Sequence, residues 1–249
     1  MRCVIVVPCH NEEKRLDAER LLSLLSRADV NVLFVDDGST DGTRRSLMEL
    51  SARAPDRVRV HALARNRGKG EAVRQGLLRA LESGAAVVGY LDADLSTPPE
   101  EMLGLVAVLD DPKLEVVLGS RVSLLGRRIE RTFARHYLGR VFASVASLSL
   151  GLPVYDTQCG AKVFRRGPAL EAALARPFTS RWAFDVEFLG RLLVGEDGTP
   201  QLTEEAFVEV PLHHWHHVEG SSLTAWQMLK AGAELVRIAW QFRRRRRAS

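Results

Sequence analysis

Cysteine is scarce in this chain of 249 residues, which contains only Cys3, Cys9 and Cys159. The number is odd, and neither a C-x-x-C pair nor another metal-ligating spacing occurs, so a disulfide framework and a cysteine-based zinc site are not expected. We predict reduced thiols and a cytoplasmic protein. Met1 leads directly into the strand-like CVIVVP, so no signal peptide is expected either.

Long apolar runs are also missing. The longest weakly polar stretch, residues 141–155, is interrupted by serine, glycine and proline. It falls short of the roughly 20 consecutive apolar residues that a membrane-spanning helix needs. We therefore expect a protein that does not cross a membrane.

An excess of positive charge is confined to the C-terminus. The formal net charge is +4, but five of the 35 basic residues are Arg243 to Arg247; without them, 30 basic residues stand against 31 acidic ones, a net charge of −1. The body of the chain therefore lacks the basic surface of a nucleic-acid-binding protein, and it has no aromatic and basic face for RNA. No nucleic-acid partner is expected.

Short β-rich runs alternate with helix-like segments through the first half of the chain. The runs are CVIVVP, VNVLFVDD, RVRVHAL, AAVVGYLDAD and EVVLGSR. Strands that alternate with helices of this length predict βαβ units, and hence an α/β fold with a mostly parallel, Rossmann-like sheet flanked by helices.

The second half of the chain predicts further helices and one strand. A long helix is expected at about 127–150, another around 182–193, a strand at AFVEVPL, and a final amphipathic helix at about 221–242.

Polar loops follow four of the predicted strands. Their sequences are PCHNE, DDGSTDG, ARNRGKG and DAD. The loop DDGSTDG could be a turn and helix cap, since its residues favour both, or it could supply a carboxylate that accepts a hydrogen bond from a nucleotide. The third lacks the full phosphate-loop pattern, although its basic residues at a helix start suit an anion. Ligands of such sheets bind at the carboxyl ends of the strands, so a ligand cleft is expected there.

Asp92 and Asp94 come directly after an apolar run that is typical of a buried strand. Two neighbouring carboxylates at such a position need a positive partner. A hard divalent cation, Mg²⁺ or Mn²⁺, takes oxygen ligands and commonly bridges carboxylates to substrate phosphates. We therefore interpret the pair as a metal site that holds a diphosphate.

Together these residues resemble glycosyltransferase family 2, the inverting nucleotide-sugar enzymes of GT-A fold. The resemblance runs from Val4 to about Leu223 and is most specific in ARNRGKGEAVRQG, GSR, DTQCGAKVF, RWAFDVEFL and HHWHHVEGSSL, which look like the dolichyl-phosphate β-glucosyltransferase branch and, more distantly, polyprenyl-phosphate mannosyltransferases. It implies one GT-A domain at 1–220, with a nucleotide-sugar half at 1–120 and an acceptor half at 121–220. Residues 221–249 would form the amphipathic helix and the poly-Arg tail.

The resemblance also implies roles for individual residues. The nucleoside pocket would be lined by Pro8, Asn11, Glu12 and Asp37, with Lys69 near the base or a phosphate. Asp92 would lie near the ribose and the metal, and Asp94 would ligate the metal. The phosphate of the acceptor would be bound by Ser120, Arg121 and Arg131.

The donor favoured by the resemblance is UDP-glucose. The mannosyl enzymes often carry a glutamine two positions after the second aspartate, where it helps to hold the metal, but this chain has Ser96 there. GDP-mannose is therefore the second choice of donor.

The acceptor remains open at the level of sequence. A polyprenyl phosphate is already an anionic nucleophile and needs no strong base, whereas a hydroxyl on a small metabolite or glycan needs a carboxylate base. Asp156, Asp185 and Glu187 are the candidates for that base, and at most one of the last two faces the cleft because they lie on opposite sides of a helix. A nucleotide-sugar-binding module without turnover is the non-enzymatic alternative, and the intact D-x-D motif argues against it.

The run HHWHH could contribute one histidine to the diphosphate or the metal, or it could form a zinc site of its own. The ligand spacing of a separate zinc site is missing, which argues against the second interpretation.

The C-terminal segment allows three interpretations. Its apolar stripe consists of Trp226, Leu229, Ala233, Val236 and Trp240, and five arginines follow. The helix could pack on its own domain, form a dimer seam, or lie in the interface of an anionic membrane with the arginines as a polybasic anchor. In the last case the protein would be peripheral on the inner face of the membrane.

Overall fold

The computed structural model describes residues 2–129, 152–181, 183–195, 199, 201–216, 234 and 237. Seven strands form the main sheet: β1 (Cys3–Cys9), β2 (Val30–Asp36), β3 (Val58–Ala62), β4 (Val87–Leu91), β5 (Val116–Ser120), β7 (Ala161–Arg165) and β8 (Phe207–Pro211). Their order is β3-β2-β1-β4-β7-β5-β8, and β7 runs antiparallel to both of its neighbours while the other pairs are parallel. The predicted mostly parallel α/β sheet is confirmed.

Helices cover both faces of this sheet. They are α1 (Ala18–Leu22), α2 (Thr43–Arg53), α3 (Lys69–Glu82), α4 (Pro99–Val108), α5 (Pro168–Ala175) and α6 (Phe184–Val194), with short 3-10 turns at Ser23–Ser26 and Glu204–Ala206. A separate parallel pair joins β6 (Arg128–Ile129) to β9 (His214–Trp215).

The central strands are largely apolar because both of their faces are covered. In β1, Val4 and Val6 pack in the core that includes residues of α3, α5 and α6, whereas Ile5 and Val7 pack in the opposite core with residues of α1, α2 and α4. Side chains of a strand alternate between faces, so one apolar run supplies both cores. The result is a three-layer domain, with the sheet between two layers of helices.

The chain differs from the sequence-based prediction after β5. A helix was expected from about residue 127, but Arg128 and Ile129 pair with His214 and Trp215 as strands, and the remainder of the predicted helix lies outside the described residues. The expected strand AFVEVPL and the helix around 182–193 are confirmed as β8 and α6.

The final helix and the tail also lie outside the described residues, apart from Glu234 and Arg237, which are both helical. The Ser180 hydroxyl donates a hydrogen bond to the carboxylate of Glu234, so this position contacts the domain. No helix within the described ranges is both long and apolar enough to span a membrane.

Candidate active site at the carboxyl edge of the sheet

The ends of β1, β2 and β4 meet at one edge of the sheet, because these strands are adjacent and parallel. The loop after β1 contains Asn11, and the loop after β4 contains Asp92, Asp94 and Leu95. Asn11 (φ 54°) and Leu95 (φ 53°) both adopt the left-handed backbone conformation that non-glycine residues rarely take. Such conformations cluster at functional sites, which favours this edge of the sheet as the candidate active site.

Asp92 is paired with a lysine from the start of α3. Lys69 Nζ lies 2.6 Å from Asp92 Oδ1 and 2.8 Å from Oδ2. Burial raises the pKa of Asp92, Lys69 lowers it, and Asp94 raises it again. Burial lowers the pKa of Lys69, but Asp92 and Asp185 more than offset this, and its pKa is raised. The positive partner of Asp92 in the protein itself is therefore Lys69, which the interpretation of the D-x-D motif had not foreseen.

Asp94 makes a different contact. Its Oδ1 accepts a hydrogen bond of 3.0 Å from the amide of Ser96, and no described side chain forms an ion pair with it. Burial raises the pKa of Glu12, Arg15 lowers it, and Asp94 and Asp92 raise it, so the three carboxylates share one negative region.

This donor set fits a divalent cation that is shared with a substrate. Among the described residues, no group of three or more His, Cys, Asp or Glu side chains is arranged to hold a metal ion alone. Mg²⁺ is commonly bound through one or two carboxylates plus substrate phosphates. Asp94, with Asp92 beside it, could supply such a partial shell.

The end of β4 is packed tightly against the start of β7. The amide of Asp92 donates to the carbonyl of Gly160 at 3.0 Å. A Cβ atom added at Gly160 would lie 2.2 Å from Asp92 Oδ2. Position 160 therefore requires glycine, because any side chain there would displace the carboxylate of Asp92.

The residues predicted for the nucleoside pocket lie together at this edge, on β1 and the loops after β1 and β2, and Pro8 belongs to β1. Both oxygens of Asp37 accept from backbone amides, those of Arg67 at 2.7 Å and Gly68 at 2.8 Å. Asn11 Oδ1 accepts from the amide of Thr40 at 2.9 Å. Asp37 and Asn11 thus hold the surrounding loops in place, and their contact with a nucleoside stays a prediction.

Arg121 and Asp156 form a second centre at the end of β5. The guanidinium binds the carboxylate in bidentate fashion, with Nε 2.6 Å from Oδ2 and Nη2 2.8 Å from Oδ1. The Arg121 guanidinium also lies 5.4 Å from the ring centroid of Trp215. Burial opposes the charge of Arg121, but Asp156 raises its pKa. The amide of Asp156 donates to Glu209 at 2.6 Å, which fixes the loop that carries the pair.

The two acidic residues of α6 are both buried and paired. Asp185 accepts from Lys162 Nζ at 2.6 Å and from the hydroxyl of Tyr90. Glu187 accepts from Arg191 at 2.6 Å and from the amide of Thr179 at 2.9 Å. Both carboxylates are therefore engaged in buried ion pairs.

Lys162 and Tyr90 were missed by the reasoning from sequence. They are register partners on the antiparallel strands β7 and β4, so their side chains share a face. Lys162 Nζ also donates to Tyr90 Oη at 2.8 Å and to the carbonyl of Cys159 at 2.7 Å. The signal in the sequence was a lysine inside the otherwise apolar strand AKVF, since a buried lysine needs a partner.

The remaining predicted residues are partly described. Ser120 is buried, and Arg131 and His217 lie outside the described residues. The amides of His213 and His214 donate to Glu101, and the amide of His216 donates to the carbonyl of Ser96 at 3.1 Å. The histidine segment therefore passes beside the loop that carries Asp94.

A family model and curated relatives match most of the chain. A model of glycosyl transferase family 2 matches residues 4–171. Dolichyl-phosphate beta-glucosyltransferase of Mus musculus is 33% identical over 273 residues, covering 98% of this chain and 79% of that protein. The Homo sapiens protein of the same name is 32% identical, with 96% and 75% covered.

Solved structures share the fold. Glucosyl-3-phosphoglycerate synthase from Mycobacterium tuberculosis, in complex with Mn²⁺, UDP-glucose and phosphoglyceric acid, superposes with a TM-score of 0.68 at 19% identity, covering 97% of this chain and 79% of that one. At this identity the likeness establishes the GT-A fold.

Proposed function

Because the chain belongs to glycosyltransferase family 2, we propose that it moves glucose from UDP-glucose to a dolichyl-type polyprenyl phosphate. The acceptor oxygen attacks the anomeric carbon from the face opposite the diphosphate. The new bond forms as the bond to the diphosphate oxygen breaks, so UDP leaves with the electron pair and the configuration inverts. The relatives of Mus musculus and Homo sapiens are both named dolichyl-phosphate beta-glucosyltransferase and match nearly the whole chain, which supports glucose as the transferred sugar and a dolichyl-type phosphate as the acceptor.

The donor would bind at the ends of β1, β2 and β4. Lys69 lies against Asp92 and is held protonated by the surrounding carboxylates, so it is available to the diphosphate as that group gains charge. Asp94, with Asp92, would hold Mg²⁺ or Mn²⁺, which supplies electrostatic stabilisation of the leaving diphosphate when bound. The complex of the solved neighbour with Mn²⁺ and UDP-glucose supports a divalent metal and this donor.

One observation supports a phosphate acceptor over a hydroxyl acceptor: each of the three candidate bases already forms an ion pair. Asp156 is engaged by Arg121 at 2.6 Å, Asp185 by Lys162 at 2.6 Å, and Glu187 by Arg191 at 2.6 Å. A carboxylate that already accepts from a cation would have to weaken that ion pair before it could remove a proton.

An acceptor that is already ionised needs no such step. A phosphate monoester meets this condition, whereas a sugar or alkyl hydroxyl does not. Arg121 then acts as a positioning cation for the acceptor phosphate, steadied by Asp156 and by the face of Trp215. Arg131 stays the predicted second cation.

The proposal is tested by measuring UDP and GDP release from UDP-glucose and GDP-mannose, each with Mg²⁺ or Mn²⁺. Each donor is combined with a polyprenyl phosphate, the matching polyprenol, or 3-phosphoglycerate. We expect glucosyl lipid from UDP-glucose and the polyprenyl phosphate only. Equal transfer to the polyprenol would show that a base operates, and the proposal would then be wrong about the acceptor.

One alternative is favoured by a specific observation. The solved neighbours bind phosphoglyceric acid, so a small hydroxylated metabolite is the second candidate acceptor. Product formation in the 3-phosphoglycerate arm, with none in the polyprenyl arm, would replace the first proposal by this one.

The C-terminal tail is proposed as a membrane anchor. Five arginines near an anionic surface would each contribute on the order of 1 kcal/mol at low salt. Deleting residues 243–249 should therefore lower activity on a long-chain polyprenyl phosphate in vesicles much more than on a short, water-soluble analogue. If the truncated chain treats both acceptors as the full chain does, the tail is not an anchor.

A further inference from the structure

A tight turn projects two leucines from the loop between β5 and β6. The amide of Arg127 donates to the carbonyl of Leu124 at 3.1 Å, and Gly126 has φ +81°. A hydrogen bond of this span with a positive φ at the third residue is the signature of a type II turn, which only glycine adopts there without strain. A Cβ atom at Gly126 would meet nothing within 4 Å, so its backbone conformation, and not packing, requires glycine. The turn holds Leu125 at its apex.

The turn exposes large apolar side chains. Leu125 is 104% exposed and Leu124 49% exposed. The only other exposed large apolar side chains in the described part of the chain are Tyr155, at 37%, and Met48, at 57%. Met48 belongs to α2, whereas Tyr155 precedes Asp156, which is bonded to Arg121. We call Leu124, Leu125 and Tyr155 the apolar tip.

The apolar tip lies beside the proposed acceptor centre. Leu124 follows Arg121 by three residues, so their Cα atoms are at most about 11 Å apart even in an extended chain. The amide of Arg121 donates to Asp156 at 3.1 Å, which brings the loop containing Tyr155 to the same place. The apolar tip therefore lies close to Arg121 and Asp156, the proposed acceptor centre.

Two basic residues follow the apolar tip. Arg128 is exposed and Arg127 half-buried, both directly after the turn. The carboxylate of Glu209 keeps its negative charge but is turned towards the backbone, since it accepts from the amides of Tyr155 at 2.8 Å and Asp156 at 2.6 Å. An apolar apex with basic residues behind it complements a lipid bilayer, because the apex can enter the acyl region while the guanidinium groups remain among the phosphates.

We propose that the apolar tip inserts into the surface of an anionic phospholipid bilayer and holds the acceptor centre at the level of the lipid phosphates. The inference rests on the proposed polyprenyl phosphate acceptor, whose phosphate lies at that depth. It is separate from the predicted tail anchor, since it uses residues of the folded domain.

The first test places a fluorescent probe on the tip. The native thiols Cys3, Cys9 and Cys159 are all buried, so an introduced surface cysteine can be labelled selectively. The full chain is prepared as Leu125→Cys and, as the matched control, Met48→Cys, each labelled with an environment-sensitive fluorophore. Vesicles of phosphatidylcholine with phosphatidylglycerol should shift the emission at position 125 to the blue and leave position 48 unchanged. No shift at position 125, or equal shifts at both positions, would overturn the proposal.

A second test measures partitioning without any label. The variant Leu124→Ser/Leu125→Ser should bind the same vesicles at least about tenfold more weakly, since even half burial of two leucine side chains corresponds to a change of that size. Met48→Ser should bind as the unchanged chain does, and a melting temperature within error of the parent would show that the double variant is folded.

These measurements need no turnover, so they stand whether or not the chain transfers glucose. Unchanged binding of the folded double variant would contradict the proposal. Loss of a dimer in sedimentation velocity, with vesicle binding unaltered, would assign the apolar tip to a second copy of the chain instead.

Discussion

Replacing Lys162 should destabilise the domain strongly. In Lys162→Met the buried cation is lost, together with its contacts to Asp185 at 2.6 Å, to Tyr90 Oη at 2.8 Å and to the carbonyl of Cys159 at 2.7 Å. Both charged side chains are nearly inaccessible, at 1% for Lys162 and 6% for Asp185, so water cannot take the place of the lost partner. Removing one member of a buried pair typically costs about 3–5 kcal/mol.

That cost is a large share of what holds a domain together, since native proteins are stable by about 5–15 kcal/mol. The assay is urea unfolding followed by circular dichroism, where the midpoint should fall while the slope stays the same. Asp185→Leu alone should lower the free energy of unfolding by a similar amount, because it leaves Lys162 buried without its anionic partner. The double variant Lys162→Met/Asp185→Leu should recover much of the loss, since it leaves no buried charge unpaired.

Two outcomes would refute this reasoning. One is a cost below about 1 kcal/mol for Lys162→Met, which would mean that the pair is solvated in solution. The other is a double variant whose cost equals the sum of the two single costs, because strict additivity shows that the two side chains do not interact.

Three further outcomes are expected at the carboxyl edge. Asp94→Asn should leave the unfolding midpoint unchanged and lower transfer by about a hundredfold or more, and full activity of this variant in chelator would contradict the metal assignment. Lys69→Met removes the cation that lowers the pKa of Asp92, so that pKa should rise and the acidic limb of the pH–rate profile should move to higher pH; an unmoved limb would count against the pair. Gly160→Ala should raise the KM for the donor because its Cβ atom would displace Asp92, whereas Gly104→Ala, which meets nothing within 4 Å, should not; equal KM values would contradict the packing argument.

The sequence predicted the first half of the fold because its signals are local. Strands covered on both faces are continuous apolar runs, and the polar loops after them are visible without tertiary information. The pairing of side chains was not predictable in the same way. Lys69 meets Asp92 across 23 positions, and Arg121 meets Asp156 across 35. Such contacts depend on which strands become neighbours, and here β7 inserts between β4 and β5.

The predicted start of a helix at about residue 127 was wrong for a physical reason. The segment after residue 127 has the composition of a helix, but Arg128 and Ile129 are held as a strand by pairing with His214 and Trp215. The partner strand comes more than eighty positions later in the chain. Pairing between distant strands therefore overrides the local helix preference of this segment, and a prediction from neighbouring residues alone cannot detect such pairing.

The two carboxylates of the D-x-D motif have different surroundings, and this difference bears on how a diphosphate can bind. Asp92 is paired with Lys69 and Glu12 with Arg15, whereas Asp94 forms no ion pair among the described residues; burial and the neighbouring carboxylates raise the pKa of both Glu12 and Asp92. A bare diphosphate would meet repulsion from this region, since like charges at close range disfavour each other. We therefore infer that the nucleotide binds together with a divalent cation at Asp94, while Lys69, already held by Asp92, offers the fixed positive charge beside it. In this arrangement the diphosphate needs two positive charges. One is the divalent cation held at Asp94, and the other is Lys69.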